Sequence, residues 1–182
     1  LYWVICSLPI FTIGASTSAL LYASMKLHDK EGYVTSNFFS SFKENFKQAT
    51  EIWLIYLVIG ILLGFDFVMG NQAKDTLGVC MQGAAMILAI PYFLSLLYVF
   101  GVQSRFVNPV KDTIRYSFFM ALRNMKCTIQ MAILMILLVW ANTTVLLVNF
   151  LTLVYGFGLM GYFFAAYYKK AFGKYLNPEE NS

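Results

Sequence analysis

Long runs of apolar residues, each close to the length that crosses a lipid bilayer, dominate this sequence. The run from Ile52 to Met69 holds a single charged residue, Asp66. A helix of about 20 apolar residues spans the hydrocarbon core of a membrane. Only 12% of the residues are charged, so a soluble fold would lack the polar residues needed to cover its surface. The sequence therefore predicts an all-α, polytopic membrane protein.

Six membrane spans can be placed along the chain, which we interpret as a single transmembrane domain over residues 1–182. In order, they are Leu1–Phe11, Ala15–Leu27, Ile52–Met69, Gly78–Val102, Thr128–Val148 and Phe150–Tyr168. The first run is about half the length of a span, so we expect its helix to begin before residue 1. The last two runs abut, which predicts a hairpin near residues 142–149.

The stretch SLPIFTIGAST, at Ser7–Thr17, interrupts the apolar sequence early. We predict that it forms the outer turn between the first two spans and packs against other spans, because exposed backbone is costly in lipid. Pro9 and Gly14 would end one helix and let the chain reverse. A hydroxyl side chain would cap the next helix, with three candidates: Ser16, Thr17 and Ser18. A kink within one longer helix is the alternative.

The cations indicate the orientation of these spans. Of the thirteen lysines and arginines, only Lys74 falls on the opposite side from the rest. The others are Lys26, Lys30, Lys43, Lys47, Arg105, Lys111, Arg115, Arg123, Lys126, Lys169, Lys170 and Lys174. The positive-inside rule makes their side cytoplasmic, with both termini there. The net charge therefore indicates contact with anionic membrane lipid rather than with nucleic acid.

Two stretches between the spans resemble each other. They are SNFFSSFKENFKQA at Ser36–Ala49 and RYSFFMALRNMKCT at Arg115–Thr128. Upstream, SALLYAS at Ser18–Ser24 matches LSLLYVF at Leu94–Phe100. We predict a parallel internal repeat of span, basic amphipathic segment and span, over about residues 15–70 and 91–148. Chance similarity between two amphipathic segments is the alternative.

Both phenylalanine-rich stretches have the spacing of an amphipathic helix. Their apolar stripes consist of Phe38, Phe39, Phe42 and Phe46, and of Phe118, Phe119, Leu122 and Met125. Such a helix can lie flat on the membrane with its apolar side down. It can equally offer an aromatic face to a partner protein. The two stripes are therefore candidate interfaces with the membrane surface or with a partner.

Four blocks together resemble the YesL-like family of bacterial membrane proteins, a domain of unknown function. They are SLPIFTIGAST with SALLY, GYVTSNFFSSFKENFKQA, SRF at Ser104–Phe106 and LRN at Leu122–Asn124. Ala15 stands where the family often has Pro. Genes of this family commonly lie beside those for sugar importers and glycoside-degrading enzymes in Gram-positive bacteria. The resemblance implies an accessory subunit of an oligosaccharide ABC importer in the plasma membrane, bound to permease chains and through them to an ATPase.

We predict no enzymatic activity, cofactor or metal. The sequence has no phosphate-binding loop, zinc-protease motif or nucleophile elbow. Its three cysteines are scattered, and His28 lies among charged residues, as a solvated loop residue would. Asp66 is the best candidate for a functional charge within the membrane, although a residue at the outer interface would look the same.

Two other functions remain open from the sequence. A standalone transporter or channel would use a break at Pro91 and a polar path formed by Gln82, Gln130, Asn142 and Asn149. A membrane sensor would instead act with a signalling kinase. The small-residue pairs Gly60–Gly64 and Gly161–Ala165 predict close helix packing, either within the chain or with a partner.

Overall fold

The computed structural model describes residues 2–7, 10–73, 75–144, 152 and 156–176. Within these ranges the chain forms helices and no strand, as predicted. The helices are α1 (Tyr2–Cys6), a 3-10 turn (Ile10–Thr12), α2 (Ile13–His28), α3 (Val34–Gln72), α4 (Thr76–Arg105), α5 (Val110–Arg123), α6 (Met125–Thr144) and α7 (Phe157–Leu176). Three of them, α3, α4 and α6, are long and apolar enough to cross a membrane.

Helix α3 joins two segments that the sequence analysis separates. Its 39 residues run from Val34 to Gln72, a length of about 58 Å. They contain both the first phenylalanine-rich stretch and the third predicted span. No proline or glycine interrupts the helix before Gly60, so the amphipathic part continues into the apolar part. The first phenylalanine-rich stretch is therefore not a separate helix.

Helices α3 and α4 form an antiparallel hairpin. The carboxylate of Asp75 caps α4 by accepting a hydrogen bond from the amide of Gly78 at 3.1 Å. Farther along, the Tyr92 hydroxyl donates to the backbone oxygen of Tyr56 at 3.1 Å. Helix α4 continues through Pro91 without interruption, so the break expected there does not occur. Neighbouring helices allow such prolines within membrane helices.

The second phenylalanine-rich stretch differs from the first, because a turn at Asn124 separates α5 from α6. The backbone of Asn124 leaves the helical region, at φ −111° and ψ 47°. The Thr128 hydroxyl lies 2.8 Å from the backbone oxygen of Ala121 and 3.0 Å from that of Asn124. These contacts hold the start of α6 against the end of α5.

Helix α2 lies at the centre of the bundle, against α3, α4 and α7. Its small residues allow close approach on several sides, and most of its side chains are buried. A Cβ atom built at Gly161 of α7 would lie 2.8 Å from Leu20. Around α2, large side chains fill the core, among them Tyr98, Tyr168 and Phe172.

The turn between α1 and α2 lies beside the middle of α3. The Trp53 indole donates a hydrogen bond to the backbone oxygen of Ile10 at 2.8 Å. The end of α3 at Gln72 lies about 28 Å beyond Trp53, at ~1.5 Å per residue. The α1–α2 turn and the α3–α4 turn are therefore at different levels along α3, whereas the sequence predicts both at the outer face. The predicted packing of the first turn against another span is confirmed.

The residue roles predicted for this turn also change. Gly14 lies inside α2, where a Cβ atom would be 2.6 Å from Cβ of Trp53, so it allows close packing rather than ending a helix. The capping prediction is wrong, because Ser16, Thr17 and Ser18 all lie within α2. The helix instead follows Thr12, whose hydroxyl donates to the backbone oxygen of Cys6 at 2.6 Å. Pro9 lies outside the described residues.

The C-terminal part is only partly comparable with the prediction. Asn142 lies within α6, and most of the hairpin predicted at residues 142–149 lies outside the described residues. The last described helix, α7, runs from Phe157 to Leu176 and ends later than the predicted sixth span; the predicted start of that span at Phe150 lies outside the described residues.

Candidate functional site

Charged residues from the ends of several helices gather at one end of the bundle, which we call the basic end. Lys169 of α7 donates a hydrogen bond to the carboxylate of Asp29, directly after α2. This hydrogen bond lowers the pKa of Asp29, and the charges of Arg105 and Lys26 lower it further. Lys26 also pairs with Glu31. Three of the cations predicted to lie on one side of the membrane, Lys26, Arg105 and Lys169, thus lie near Asp29.

His28 joins α2 to α7 at the same end. Its ring stacks on that of Tyr162, with the centroids 4.1 Å apart. Its Nε2 atom lies 3.0 Å from the backbone oxygen of Tyr162. The histidine therefore makes a packing contact between two helices. Among the described residues, no group of His, Cys, Asp and Glu could hold a metal ion.

Helix α5 is amphipathic and lies at the surface of the bundle. Its small side chains at Thr113, Ser117 and Ala121 are buried. Ile114 and Met120 are half-buried and pack against the core, whereas other large apolar side chains are exposed. Those at least two-fifths exposed, together with the first residue of α6, are Tyr116 (46%), Phe119 (53%), Leu122 (43%) and Met125 (46%). Phe118 is half-buried. The second predicted stripe is thus largely accessible.

An open groove with a volume of about 910 Å³ lies between the end of α4 and α5; we call it the α4–α5 groove. It contains two cationic side chains, Arg115 and Arg123, and its described lining residues include no acidic one. The guanidinium carbon of Arg115 lies 5.8 Å from the ring centroid of Phe119, in range of a cation–π contact. Polar side chains of Asn108 and Tyr116 complete a site that combines positive charge with aromatic surface.

The first phenylalanine stripe is placed differently from the second. Phe38 is only 2% exposed and packs with Ala19 and Ala23 of α2. Its ring centroid lies 6.2 Å from that of Phe42, which lies 5.4 Å from that of Phe46. Phe42 and Phe46 are half-buried, and Phe39 is 39% exposed. Phe38 is therefore part of the core and is not available as an interface residue.

The membrane-length parts of α3 and α4 leave most of their large side chains exposed. Leu62 and Phe65 of α3, and Ile87 and Phe93 of α4, are each about 60% exposed or more. Among these side chains, a Cβ atom at Gly64 or Gly83 would meet no atom within 4 Å. The surface of this hairpin thus has open glycine positions.

The predicted small-residue pairs divide between internal and open positions. A Cβ atom at Gly60 would lie 2.6 Å from the Tyr92 hydroxyl, so Gly60 packs within the chain. Gly161 packs against α2, and Ala165 is fully buried. Gly64 is the only one of these four residues without a neighbour in the described part of the chain.

Asp66 lies on the exposed side of α3, between Phe65 and Phe67. Gln72, where the helix ends, is about 9 Å farther along the axis. This short distance places the carboxylate near the end of the span, where it can reach the interface. Asp66 takes part in neither of the two ion pairs that form among the described residues.

The described residues predicted to line a path, Gln82, Gln130 and Asn142, make no hydrogen bond with one another. Gln82 donates to the Asn71 side chain at 3.2 Å and so braces the α3–α4 turn. Gln130 is exposed on α6. The Asn142 amide donates to the backbone oxygen of Leu138 at 2.8 Å. Asn149 lies outside the described residues.

Several buried polar groups escape the sequence analysis. Gln103 is 4% exposed, and neither of its amide atoms has a hydrogen-bond partner among the described residues. The hydroxyls of Ser16, Ser18 and Thr50 are in the same situation. In the sequence, an amide within the apolar α4 run is the one signal that singles out Gln103.

Residues 1–67 match the family model described as "protein of unknown function, DUF624". This match is consistent with the predicted YesL-like resemblance and confirms it over the N-terminal part of the chain. No curated protein matches the chain. No solved structure matches it either.

Proposed function

We propose that the protein is a non-catalytic subunit of the bacterial plasma membrane that binds the permease of a binding-protein-dependent oligosaccharide ABC importer. It would stabilise or regulate that permease, and the permease-bound ATPase would supply the energy. The family resemblance supplies the class of partner. The α3–α4 hairpin supplies the surface.

The exposed hairpin is the observation that carries this proposal. Both helices have membrane length and leave large apolar side chains uncovered around open glycines. Helices in lipid associate through close backbone approach at small residues. Gly64 lies within the membrane-length part of α3, and a Cβ atom there would meet no atom of the described residues within 4 Å. A helix of the permease fits at this position.

The proposed topology modifies the six-span interpretation. Helices α3, α4 and α6 would cross the membrane, and the basic end would face the cytoplasm. The α1–α2 hairpin would enter the membrane from the cytoplasmic side and turn back at the level of Trp53. Helix α7 would return to the cytoplasmic side and place its lysines there. Both termini would then be cytoplasmic. In the twofold repeat, the first copy would consist of α2 and α3. The second copy would consist of the end of α4 together with α5 and α6.

The test compares two glycine variants of the tagged full-length protein in its native host. Gly64→Leu adds a side chain where a partner helix would approach, and Gly158→Leu does the same at an open position on α7. After mild detergent extraction, the wild type and Gly158→Leu should recover permease and ATPase chains in stoichiometric amounts. Gly64→Leu should lose most of them while remaining folded.

A clean homo-oligomer, with no permease even after crosslinking, would overturn the proposal. Recovery of a signalling kinase in place of the permease would instead support the sensor function. Equal recovery of the permease with both variants would show that Gly64 is not at the interface. The α3–α4 hairpin would then have no support as the permease-binding surface.

Transport by the protein alone is the second candidate, and the buried amide of Gln103 is the observation that favours it. Polar groups without partners inside a membrane bundle often mark a solute path. Against this, Tyr98, Tyr168 and Phe172 fill the centre of the bundle. Replacing Gln103 by Leu distinguishes the two functions in reconstituted vesicles. A transporter should lose uptake, whereas a subunit should move no solute and should gain stability, because an unpaired buried amide costs about 1–3 kcal/mol.

A further inference from the structure

We propose that a groove between α3, α4 and α5, which we call the hairpin groove, binds an acyl chain of a membrane lipid. The lipid belongs to the leaflet next to the basic end. This proposal does not rest on the importer function, because Gly64, where the permease would approach, is not among the residues that line the groove. Failure to recover a permease leaves it intact.

The walls of the hairpin groove are hydrocarbon on three sides. The groove has a volume of about 370 Å³. Most of its wall is formed by Ile55, Ile59 and Leu63 of α3, Leu88 and Pro91 of α4, and Phe118 of α5. A hydrocarbon chain lying there contacts three helices at once, whereas a chain on a flat helix surface contacts one. Each added contact between apolar atoms contributes dispersion attraction.

The hydroxyl groups of the described lining residues already have partners. The hydroxyls of Tyr56 and Ser95 form a hydrogen bond with each other. The Ser95 hydroxyl also lies 3.4 Å from the backbone oxygen of Ile114, and the Tyr92 hydroxyl donates to the backbone oxygen of Tyr56 at 3.1 Å. A polar ligand gains little from groups that are already paired. The lining therefore favours an apolar ligand.

The dimensions of the groove fit a linear chain and not a helix. Along α3 the groove extends from Ile55 to Leu63, about 12 Å, and along α4 from Leu88 to Ser95, about 10 Å. Its volume spread over this length gives a mean cross-section of roughly 30 Å². A helix with its side chains is about 10 Å wide, or roughly 80 Å² in cross-section. A helix of a partner or of a second copy is therefore too wide for the groove.

The position of the groove matches one leaflet of the bilayer. The basic end lies where α3 begins and α4 ends. On α3, the exposed large apolar side chains extend from Leu54 to Met69, and the groove covers the half of this band that is nearer to the basic end. Half of the hydrocarbon core is about 15 Å thick, close to the length of the groove. A lipid chain of that leaflet lies parallel to the helices and along the groove.

The test measures lipid retention by native mass spectrometry. The purified full-length protein is incubated with phosphatidylcholine, whose headgroup has no net charge for the basic end to attract, and the bound lipids are counted in detergent. The wild type should retain a lipid. Ile59→Trp fills the groove with an indole ring and should lower the retained fraction by about fivefold or more.

The matched control is Ile61→Trp, which adds the same ring two residues farther along α3. Ile61 is exposed and does not line the groove, so this variant should retain the lipid as the wild type does. Equal losses in the two variants would overturn the site. Unchanged retention in Ile59→Trp would show general contact with lipid and would overturn it as well.

A second pair of variants tests the opposite wall and keeps the proposal falsifiable if Ile59→Trp does not fold. Leu88 of α4 lines the groove, whereas its neighbour Ile87 is exposed outside it. Leu88→Trp should lose the lipid and Ile87→Trp should keep it. The reverse result would overturn the proposal.

Two other ligands are outcomes of the same measurement. Glycerophosphocholine, which has the headgroup without the chains, should not displace the lipid; displacement would show that the headgroup is recognised and would overturn the proposal. A second copy of the chain that is bound to the wild type and lost in both groove variants would assign the groove to a dimer contact and would also overturn it.

Discussion

Gly14 and Phe38 show that the role of a single residue depends on what packs against it. The sequence predicts Gly14 as the end of a helix, yet it lies inside α2 against Ala49 and Trp53. Phe38 and Phe118 begin the same FF pattern, yet Phe38 alone is fully buried, because α2 covers it. Helical periodicity identifies the apolar side of a segment. It does not reveal which neighbour covers that side.

Replacing Gly14 by Ala should destabilise the protein. The new Cβ atom would lie 2.6 Å from Cβ of Trp53, and such overpacking costs about 1–3 kcal/mol. Thermal unfolding in detergent should show a lower Tm than that of the wild type. The control is Gly173→Ala on α7, where a Cβ atom meets nothing within 4 Å.

The control variant should raise Tm instead of lowering it, because alanine within an exposed helix is favoured over glycine by up to about 1 kcal/mol. A Tm that rises in both variants would contradict the close approach of α2 and α3 at Gly14.

At the scale of helices, the sequence predicts their presence better than their limits. The apolar runs give α3, α4 and α6, and the aromatic spacing identifies α5 as amphipathic. The sequence does not predict that the first phenylalanine-rich stretch and the third span form one helix. Its basic residues favour a loop between spans, whereas in the structure the backbone continues as a helix. The break at Asn124 depends on contacts of Thr128 that no local pattern shows.

The ion pair between Asp29 and Lys169 should make the attachment of α7 to α2 depend on pH. Because the pKa of Asp29 is lowered in the folded protein, the pair stabilises it fully above the unfolded pKa of about 3.9. That contribution is lost as the pH falls through the lower, folded pKa. The pair is partly exposed, so it contributes only about 0.2–1 kcal/mol.

Thermal unfolding of the wild type and Asp29→Asn checks this between pH 3 and pH 7. The difference in Tm should be constant near neutral pH and should shrink as the pH falls below about 3.9. Lys169→Met should behave like Asp29→Asn, and combining the two should add little. A difference at pH 3 as large as that at pH 7 would assign the effect to another contact.

On the scale of the whole molecule, the sequence does not predict how deep the α1–α2 turn lies along α3 relative to the α3–α4 turn. The prediction of six spans follows from the length of each run taken alone. The depth of the α1–α2 turn follows from long-range contacts with α3, namely Ile10 with Trp53 and Gly14 with Ala49. The candidate site has the same limit: the stripe on α5 follows from spacing, whereas the α4–α5 groove forms only when α5 folds back on α4.

Cysteine labelling of intact cells measures this difference in depth. In a variant without the native cysteines, a cysteine at Gln72 should react with a membrane-impermeant maleimide, because the α3–α4 turn reaches the outer face of the proposed topology. A cysteine at Ile10, which is 67% exposed in the isolated chain, should not react. Equal labelling of the two positions would restore the outer turn that the sequence predicts.

The unbroken α3 helix also has a consequence for how the chain can change in length. Each residue of a helix turns it by about 100°. Because α3 is unbroken, the direction of its contact with α2 at Ala49 is fixed relative to the direction of its contact with α4 at Tyr56. Deleting a single residue between them would rotate one contact surface away from its partner. The turn at Asn124 separates α5 from α6 and removes this constraint. Insertions and deletions should therefore be tolerated at Asn124 and excluded from the middle of α3.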